Sequence, residues 1–165
     1  MSQIQPVNHE NATEISCLAR KIWLRQYRVL LSPDQIDYML KQRYTPSVIQ
    51  AQLGDEKIWW RKLTVKDTII GFSCCMLTRQ ADELKIDKLY IQHEHHRKGY
   101  GKMFIDDAVT IMQDIACSTL ILTVNKQNHS AIHAYRRYGF EIMGDSVVDI
   151  GGGFFMNDYL MAMTP

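Results

Sequence analysis

The pattern of apolar residues predicts helices in the first third of the chain. Residues 11–27 place apolar side chains every three or four positions, which is the period of an amphipathic helix. Residues 32–42 begin with a serine, which is a good capping residue, followed by a proline, which suits the first turn of a helix. A third, short helix is expected over residues 47–53, where Gly54 would end it.

The period then changes to that of β-strands. Residues 57–65 and 68–79 are rich in β-branched, aromatic and other apolar residues, and the dipeptide Lys-Asp between them indicates a hairpin. Residues 83–91, "ELKIDKLYI", alternate between apolar and polar side chains, as a third strand would. We therefore expect an antiparallel meander of three strands.

The second half of the chain alternates between helices and strands. A helical period returns after Gly99, residues 119–124 form a short apolar strand typical of a parallel pair, and residues 128–140 are expected to form a helix. Residues 141–163 are expected to form two strands joined across a glycine triplet. The segment 84–124 is then a βαβ crossover. The predicted fold class is α/β, with a mixed central sheet and a βαβ unit flanked by helices.

The length and composition fit one globular domain that spans residues 1–165. The chain is 46% hydrophobic and 22% charged, which is ordinary for a soluble domain. A net charge of +1, together with acidic residues on the helix after Gly99, argues against a nucleic-acid-binding domain. The longest apolar stretch, nine residues from Ile69, is too short to span a bilayer, so no membrane association is expected.

The cysteines and the first residues favour a cytoplasmic location. None of the four cysteines forms a C-x-x-C pair, and Cys74 and Cys75 lie in an apolar run, so we expect reduced, buried thiols. The start "MSQIQPVNHE" has neither the basic nor the apolar region of a secretory leader.

The stretch "HEHHRKGYGK", residues 93–102, concentrates the candidate chemistry of the chain. Metal binding is disfavoured because His93 and His95 would point to one side of an extended chain and His96 to the other, with no second pair of ligands nearby. The stretch lacks residues that a Walker loop requires, and it also lacks a glycine that a dinucleotide-binding fingerprint requires.

An anion site remains as the specific interpretation of this stretch. Gly99 and Gly101 lie between a predicted strand and the N-terminus of a predicted helix, where backbone N–H groups are open to a ligand. Arg97, Lys98 and Lys102 add positive charge. The alternative is a glycine-containing turn with solvated cations, and the spacing alone does not decide between them.

Two signatures resemble the GNAT superfamily of N-acetyltransferases. The family's acetyl-CoA signature, Gln/Arg-x-x-Gly-x-Gly/Ala, matches "HRKGYG" at Gly99 and Gly101. A second signature, Asn-x-x-Ala-Ile-x-x-Tyr-x-x-x-Gly-Phe, matches "NHSAIHAYRRYGF" at Asn128, Ala131, Ile132, Tyr135, Gly139 and Phe140. The resemblance covers roughly residues 58–165, and "DIGGGFFMNDYLM" is similar to the PaiA-type branch related to spermidine/spermine acetyltransferases. His96 departs from the pattern, because the family has Gln or Arg there.

The resemblance implies acetyl-CoA as cosubstrate and no metal. Backbone groups of the strand before the loop would bind the pantetheine arm and the thioester, and the N–H of Ile91 would polarise the acetyl carbonyl as an oxyanion donor. Loop amides would hold the pyrophosphate. A neutral His96 could donate to a phosphate oxygen, which would make CoA affinity depend on pH. The implied cofactor-binding residues are Leu89, Tyr90, Ile91, His96, Arg97, Lys98, Gly99, Tyr100, Gly101, Lys102, Asn128 and Ala131.

The resemblance also implies the catalytic groups of an acetyl transfer to a primary amine. Tyr135 occupies the family's general-acid position and would protonate the leaving thiolate, whereas its structural alternative is an aromatic side chain packed on the sheet. Asp87 could be a base that acts through water, because it alternates with Leu89 and Ile91 along the strand. The alternative for Asp87 is an exposed strand carboxylate.

The acceptor implied by the resemblance is a small-molecule amine, such as a polyamine. A homodimer is an expectation that rests on the family resemblance alone. A cationic acceptor would need acidic groups, and the candidates are Glu94, Asp34, Asp37, Asp149 and Asp158. Trp23 and Tyr27 could line the acceptor groove, but their spacing favours core packing. The rival functions are a protein or peptide amine acetyltransferase and a CoA-binding regulatory module without turnover.

Overall fold

A computed structural model describes all residues 1–165 of the chain. The helices are α1 (Ala12–Tyr27), α2 (Pro33–Arg43), α3 (Pro46–Leu53), α4 (Tyr100–Asp114) and α5 (His129–Tyr138). The strands are β1 (Ser2–Pro6), β2 (Ile58–Val65), β3 (Thr68–Leu77), β4 (Glu83–Ile91), β5 (Thr119–Asn125), β6 (Glu141–Gly151) and β7 (Phe154–Met163). Short 3₁₀ turns cover His9–Asn11 and His93–His95.

The strands form one seven-stranded mixed sheet in the order β1-β2-β3-β4-β5-β7-β6. β4 and β5 are parallel, and α4 connects them, as predicted for the βαβ unit. β1 pairs antiparallel with β2, and β7 pairs antiparallel with both β5 and β6. The predicted α/β fold class is confirmed.

The helix starts follow from capping residues in the sequence. The Ser32 hydroxyl accepts a hydrogen bond from the Gln35 N–H at 3.1 Å, and the Thr45 hydroxyl accepts one from the Val48 N–H at 3.3 Å. A proline follows each cap and has no N–H to leave without a partner. The third helix accordingly begins at Pro46, one residue before its predicted start.

The β2–β3 hairpin turns at the predicted Lys-Asp dipeptide. Lys66 and Asp67 have φ angles of 49° and 62°, so both residues are left-handed. This is the conformation of a two-residue turn whose twist matches the flanking strands.

The strand β1 was missed by the periodicity, which predicts only helices in the first third of the chain. Its register runs from Ser2 opposite Val65 to Pro6 opposite Arg61. Five residues ending in proline, with Ile4 as the one aliphatic residue, are too few to show alternation. The strand forms because it pairs with the edge of β2, a contact between segments that are distant in sequence.

The chain divides into two compact units. The first unit comprises Met1–Cys75 and Lys88–Phe104, and the second comprises Met76–Asp87 and Ile105–Pro165. Buried aromatic side chains dominate the interior of the first unit. Five of them, together with the half-buried Tyr90, form what we call the aromatic cluster: Trp23, Tyr27, Tyr44, Trp60, Phe72 and Tyr90. The second unit buries aliphatic side chains, among them Leu84, Ile86, Ala108, Leu120, Leu122 and Met161.

No helix of the chain combines the length and the apolar character needed to cross a membrane. The four cysteines form no disulfide. Cys74 and Cys75 are buried as predicted, whereas Cys17 is exposed on α1 because the polar face of that helix carries it.

Candidate functional site

The phosphate loop, residues 96–102, follows the 3₁₀ turn after β4 and includes the first turn of α4. It contains the first signature. Arg97 has a φ of 60° and Gly99 has a φ of 83°, so two left-handed residues bend the chain into the helix. A Cβ on Gly99 would meet no atom within 4 Å. Glycine is therefore favoured at this position by its backbone conformation and not by a lack of space.

The first turn of α4 directs backbone donors out of the helix. Its first helical bond runs from the Met103 N–H to the Gly99 carbonyl at 3.4 Å, so the N–H groups of residues 100–102 precede the helical ladder. These groups carry the positive end of the helix dipole. With the exposed cations Arg97 and Lys98 beside them, they form the kind of site that binds an anion.

The side chain of His96 contacts the end of β4. Its Nε2 lies 2.7 Å from the carbonyl oxygen of Ile91. The next N–H, of Gln92, donates to the carbonyl of Ile70 in β3 at 2.8 Å. The predicted contact of His96 with a phosphate therefore competes with a bond that its Nε2 already makes.

The side chains at the end of β4 are used for packing. Leu89 and Ile91 pack against the core cluster of Leu63, Ile70 and Phe104. Tyr90 belongs to the aromatic cluster, and its hydroxyl lies 3.2 Å from that of Tyr27. The packing of these side chains leaves backbone groups as what this part of the strand can offer a ligand, and the role that the resemblance implies for them stays a prediction.

Trp23 and Tyr27 are core residues in the structure. Their side chains are buried, and their ring centroids lie 4.5 Å apart. The alternative of core packing describes both of them better than an exposed groove wall does.

Lys88 is a buried cation that the sequence analysis did not single out. Its Nζ lies 5.4 Å from the ring centroid of Tyr44 and 5.3 Å from that of Trp60. Aromatic faces stabilise a cation that is removed from water. Lys88 follows Leu84 and Ile86 at every second position of "ELKIDKLYI", and these positions are buried. The sequence did not reveal this burial, because a lysine is normally expected on the exposed face of a strand.

Tyr135 lies half-buried on α5 in the second unit. Its ring packs edge-on against Phe140, with centroids 5.7 Å apart and planes at 68°. The helix ends directly behind it, because Gly139 adopts a φ of 111° and the Phe140 N–H donates to the Tyr135 carbonyl at 3.0 Å. Both residues of the signature that follow Tyr135 therefore fix its position.

Asn128 and Ala131 form the start of α5. The Asn128 Oδ1 accepts a hydrogen bond from the Ala131 N–H at 3.3 Å, which is an N-cap. The oxygen of this signature asparagine thus has a structural use, and its amide NH₂ is the part suited to donate to a ligand.

Asp87 is enclosed and does not behave as an exposed strand carboxylate. Its side chain is 8% exposed, and one carboxylate oxygen lies 3.5 Å from the Nζ of Lys85. Its role as a base remains a prediction.

The acidic candidates for acceptor recognition are dispersed over the chain. Asp34 and Asp37 are at α2, and Lys41 beside Asp37, at 2.9 Å, holds the pKa of that carboxyl below its ordinary value. Asp149 accepts from the Gly151 N–H at 2.9 Å, and Asp158 is buried on β7. These four acidic side chains therefore do not form the single acidic cluster that a polyamine would favour.

A basic groove on α1 was also missed by the sequence analysis. It is an open depression of about 550 Å³ and is lined by Lys21, Leu24, Arg25 and Arg28. Arg25 lies 3.6 Å from the carboxylate of Glu94. A hydrogen bond from its own backbone, then Lys21 and Arg25, hold the pKa of Glu94 below its ordinary value. The spacing i, i+3, i+4, i+7 could have revealed this face.

The histidines of residues 93–96 do not converge on a metal site. No three His, Cys, Asp or Glu side chains anywhere in residues 1–165 are grouped so that they could hold a metal ion.

Comparison with known proteins identifies the family of the chain. A model of the acetyltransferase (GNAT) family matches residues 19–140. The chain belongs to this family. The resemblance drawn from the two signatures is therefore confirmed.

Two curated relatives share part of the sequence. Peptidyl-lysine N-acetyltransferase YjaB of Salmonella typhimurium is 31% identical over 54% of this chain and 54% of its own length. Streptothricin acetyltransferase of Streptomyces lavendulae is 30% identical over 46% of this chain and 40% of its own length. The matched segment thus spans about half or less of each relative.

A solved structure shares the fold over the full chain. The PaiA N-acetyltransferase of Thermoplasma acidophilum, crystallised with coenzyme A, superposes with a TM-score of 0.83. The match covers 100% of this chain and 99% of that one at 21% identity. The likeness establishes the GNAT fold.

Proposed function

We propose that the protein transfers the acetyl group of acetyl-CoA to a primary amine. The phosphate loop is the observation that carries this proposal. Left-handed Arg97 and Gly99 lead into the N-terminus of α4, and three of the seven loop residues are cations. A pyrophosphate is recognised by such a combination of open backbone N–H groups and positive charge.

The end of β4 would bind the pantetheine arm and the thioester. The parallel ladder with β5 ends at Ile86, whereas β4 continues to Ile91. The Gln92 N–H points to β3, so the preceding N–H, of Ile91, points to the opposite edge, because successive N–H groups alternate along a strand. This direction supports Ile91 as the donor to the acetyl carbonyl oxygen.

The chemistry proposed for the chain is direct attack. Acetyl-CoA supplies an activated thioester. The amine nitrogen forms a bond to the carbonyl carbon, the C–S bond breaks, and Tyr135 gives its phenolic proton to the departing thiolate. Asp87 accepts the proton that the amine loses, through a water molecule. A phenol has a reference pKa near ~10, so it carries a proton at neutral pH that it can give to a thiolate, whose thiol has a reference pKa near ~8.5.

We propose a small amine such as a polyamine as the first class of acceptor. The sequence resemblance to the PaiA-type branch supports it, and one relative is a streptothricin acetyltransferase. Among the acidic side chains that would recognise a polycation, Asp37 is already paired with Lys41.

A protein lysine is the second candidate acceptor, and the basic groove favours it. Lys21, Arg25 and Arg28 would repel a polyamine but attract an acidic stretch of a protein. YjaB, with 31% identity, is a peptidyl-lysine acetyltransferase.

Thiol release from acetyl-CoA tests the function and separates the two acceptors. The purified protein is assayed with spermidine, spermine, aminoglycosides, an N-terminal peptide and lysine peptides in acidic and neutral contexts. We expect release with at least one amine, together with the acetylated product in a mass spectrum. Tight CoA binding without release on any amine would instead support the regulatory module.

A cytoplasmic location and a homodimer are further parts of the proposal. The edge strand β6 exposes Met143 and Val147, and Phe155 on β7 is also exposed, so this hairpin offers apolar area to a second copy. Light scattering after size exclusion is expected to give twice the 19.2 kDa mass of the chain, whereas a monomer mass would contradict the dimer.

A further inference from the structure

The side chain of His96 joins the two parts of the proposed acetyl-CoA site. His96 opens the phosphate loop, and its Nε2 lies 2.7 Å from the carbonyl oxygen of Ile91, the last residue of β4. A carbonyl oxygen only accepts, so Nε2 carries the proton of this hydrogen bond. Loop and strand are therefore connected by a bond besides the chain itself.

The peptide group that follows Ile91 is held from both sides. Its carbonyl accepts from His96, and its N–H, of Gln92, donates to Ile70 at 2.8 Å. Gly71 on the neighbouring strand β3 packs closely beside it, since a Cβ there would lie 2.9 Å from the Tyr90 oxygen and 3.2 Å from Cγ1 of Ile91. The backbone at the end of β4 has little freedom as long as all three contacts are present.

We infer that His96 is a positioning residue of the acetyl transfer and not a phosphate ligand. In a strand, the carbonyl and the N–H of one residue point to the same edge. His96 occupies the Ile91 carbonyl on the edge where the Ile91 N–H would meet the thioester. The N–H is then the polar group of Ile91 that remains for the ligand, in a fixed direction. This inference rests on the proposed function.

The proton on Nε2 also limits what His96 can do with a phosphate. In the neutral ring Nδ1 has no proton, so it cannot donate to an anion. The bond to Ile91 needs only the Nε2 proton, which both the neutral and the charged ring carry. Titratable groups in the preceding turn include His93, whose ring centroid lies 5.1 Å away, together with Glu94 and His95. The hydrogen bond to Ile91 can therefore form with either form of the ring.

Substitution of His96 by a ring without a donor tests the inference. His96→Phe keeps the size of the side chain and removes the hydrogen bond, whereas His96→Gln keeps a donor of similar reach. His93→Phe is the matched control, because His93 is an exposed ring in the same segment. All variants are compared by kcat, by KM for acetyl-CoA, and by amide hydrogen exchange of residues 91–99.

We expect kcat to fall about fivefold in His96→Phe, which corresponds to one lost hydrogen bond, with KM changed less than about twofold. Exchange should become faster over residues 91–99 in this variant alone. His96→Gln should restore both kcat and the rate of exchange. The pH profile of kcat should also be the same in His96→Gln and the wild type over roughly pH 6 to 8, a range that brackets the reference pKa of histidine of about 6.5.

Three results would overturn the inference. They are an unchanged kcat and exchange in His96→Phe, a loss confined to KM, and a His96→Gln variant as impaired as His96→Phe. If the wild type acetylates no amine, the proposed function fails, and the exchange measurement still decides whether His96 holds the end of β4.

Discussion

At the scale of single residues, local packing determines what each candidate can do. Tyr135 is fixed by the Phe140 ring and by the helix end at Gly139, whereas Asn128 is partly occupied as the cap of α5. The signature predicted the identity of these residues. The bond of His96 to Ile91 and the burial of Lys88 could not be predicted, because both depend on the path of the chain in three dimensions.

Replacement of Tyr135 by phenylalanine tests the general acid. Tyr135→Phe removes the proton donor and keeps the contact with Phe140, so we expect kcat to fall roughly a hundredfold while the affinity for CoA is unchanged. Steady-state kinetics and calorimetry measure the two quantities. Tyr138→Phe on the same helix is the control, and equal turnover in both variants would remove Tyr135 from the acid role.

At the scale of elements, periodicity predicted what local sequence determines. The cap Ser32 and the Lys-Asp turn encode their elements within a few residues, and the structure confirms both. The cap of the third helix, Thr45, was not predicted, although it too acts within a few residues. β1 escaped prediction because its pairing with β2 is a contact between residues about sixty positions apart, such as Ser2 and Val65. The end of the β4–β5 ladder at Ile86 was equally invisible, since a uniform pattern runs through Ile91.

The close packing of Gly71 on β3 against the end of the neighbouring strand β4 predicts that a larger residue at this position lowers the stability of the fold. In Gly71→Ala the new Cβ would lie 2.9 Å from the Tyr90 oxygen, and overpacking of this kind costs about 1–3 kcal/mol. Urea unfolding measures the change in the free energy of unfolding. Gly144→Ala is the control, because a Cβ there meets no atom within 4 Å. Equal free energies of unfolding in the two variants would show that β3 accommodates the added Cβ without a loss of stability.

At the scale of the whole molecule, the net charge conceals the local clusters. The net charge of +1 argued against general nucleic-acid binding, but it did not reveal the three cations of the basic groove on α1. The fold class could be predicted because two signatures and the order of elements agree with one family, and residues 19–140 match that family. The acceptor could not, because surface charge depends on which side chains the fold brings together.

Charge reversal in the basic groove tests the protein acceptor. The double variant Lys21→Glu and Arg28→Glu should lower kcat/KM for an acidic lysine peptide by roughly threefold to tenfold, with a smaller effect at high salt. The value for spermidine should stay equal or rise. Lys57→Glu, an exposed cation outside the groove, is the control. Equal losses for both acceptors would exclude the groove from acceptor choice.

The affinity for CoA in wild type and Gly101→Val tests the central claim most directly, because it requires no knowledge of the acceptor. Gly101 lies in the first turn of α4, where a branched side chain would keep the pyrophosphate from the backbone N–H groups. Calorimetry should show one CoA site in the wild type and at least roughly tenfold weaker binding in Gly101→Val, with both proteins folded by circular dichroism. Equal affinity in the two proteins, or no binding to the wild type, would contradict the account.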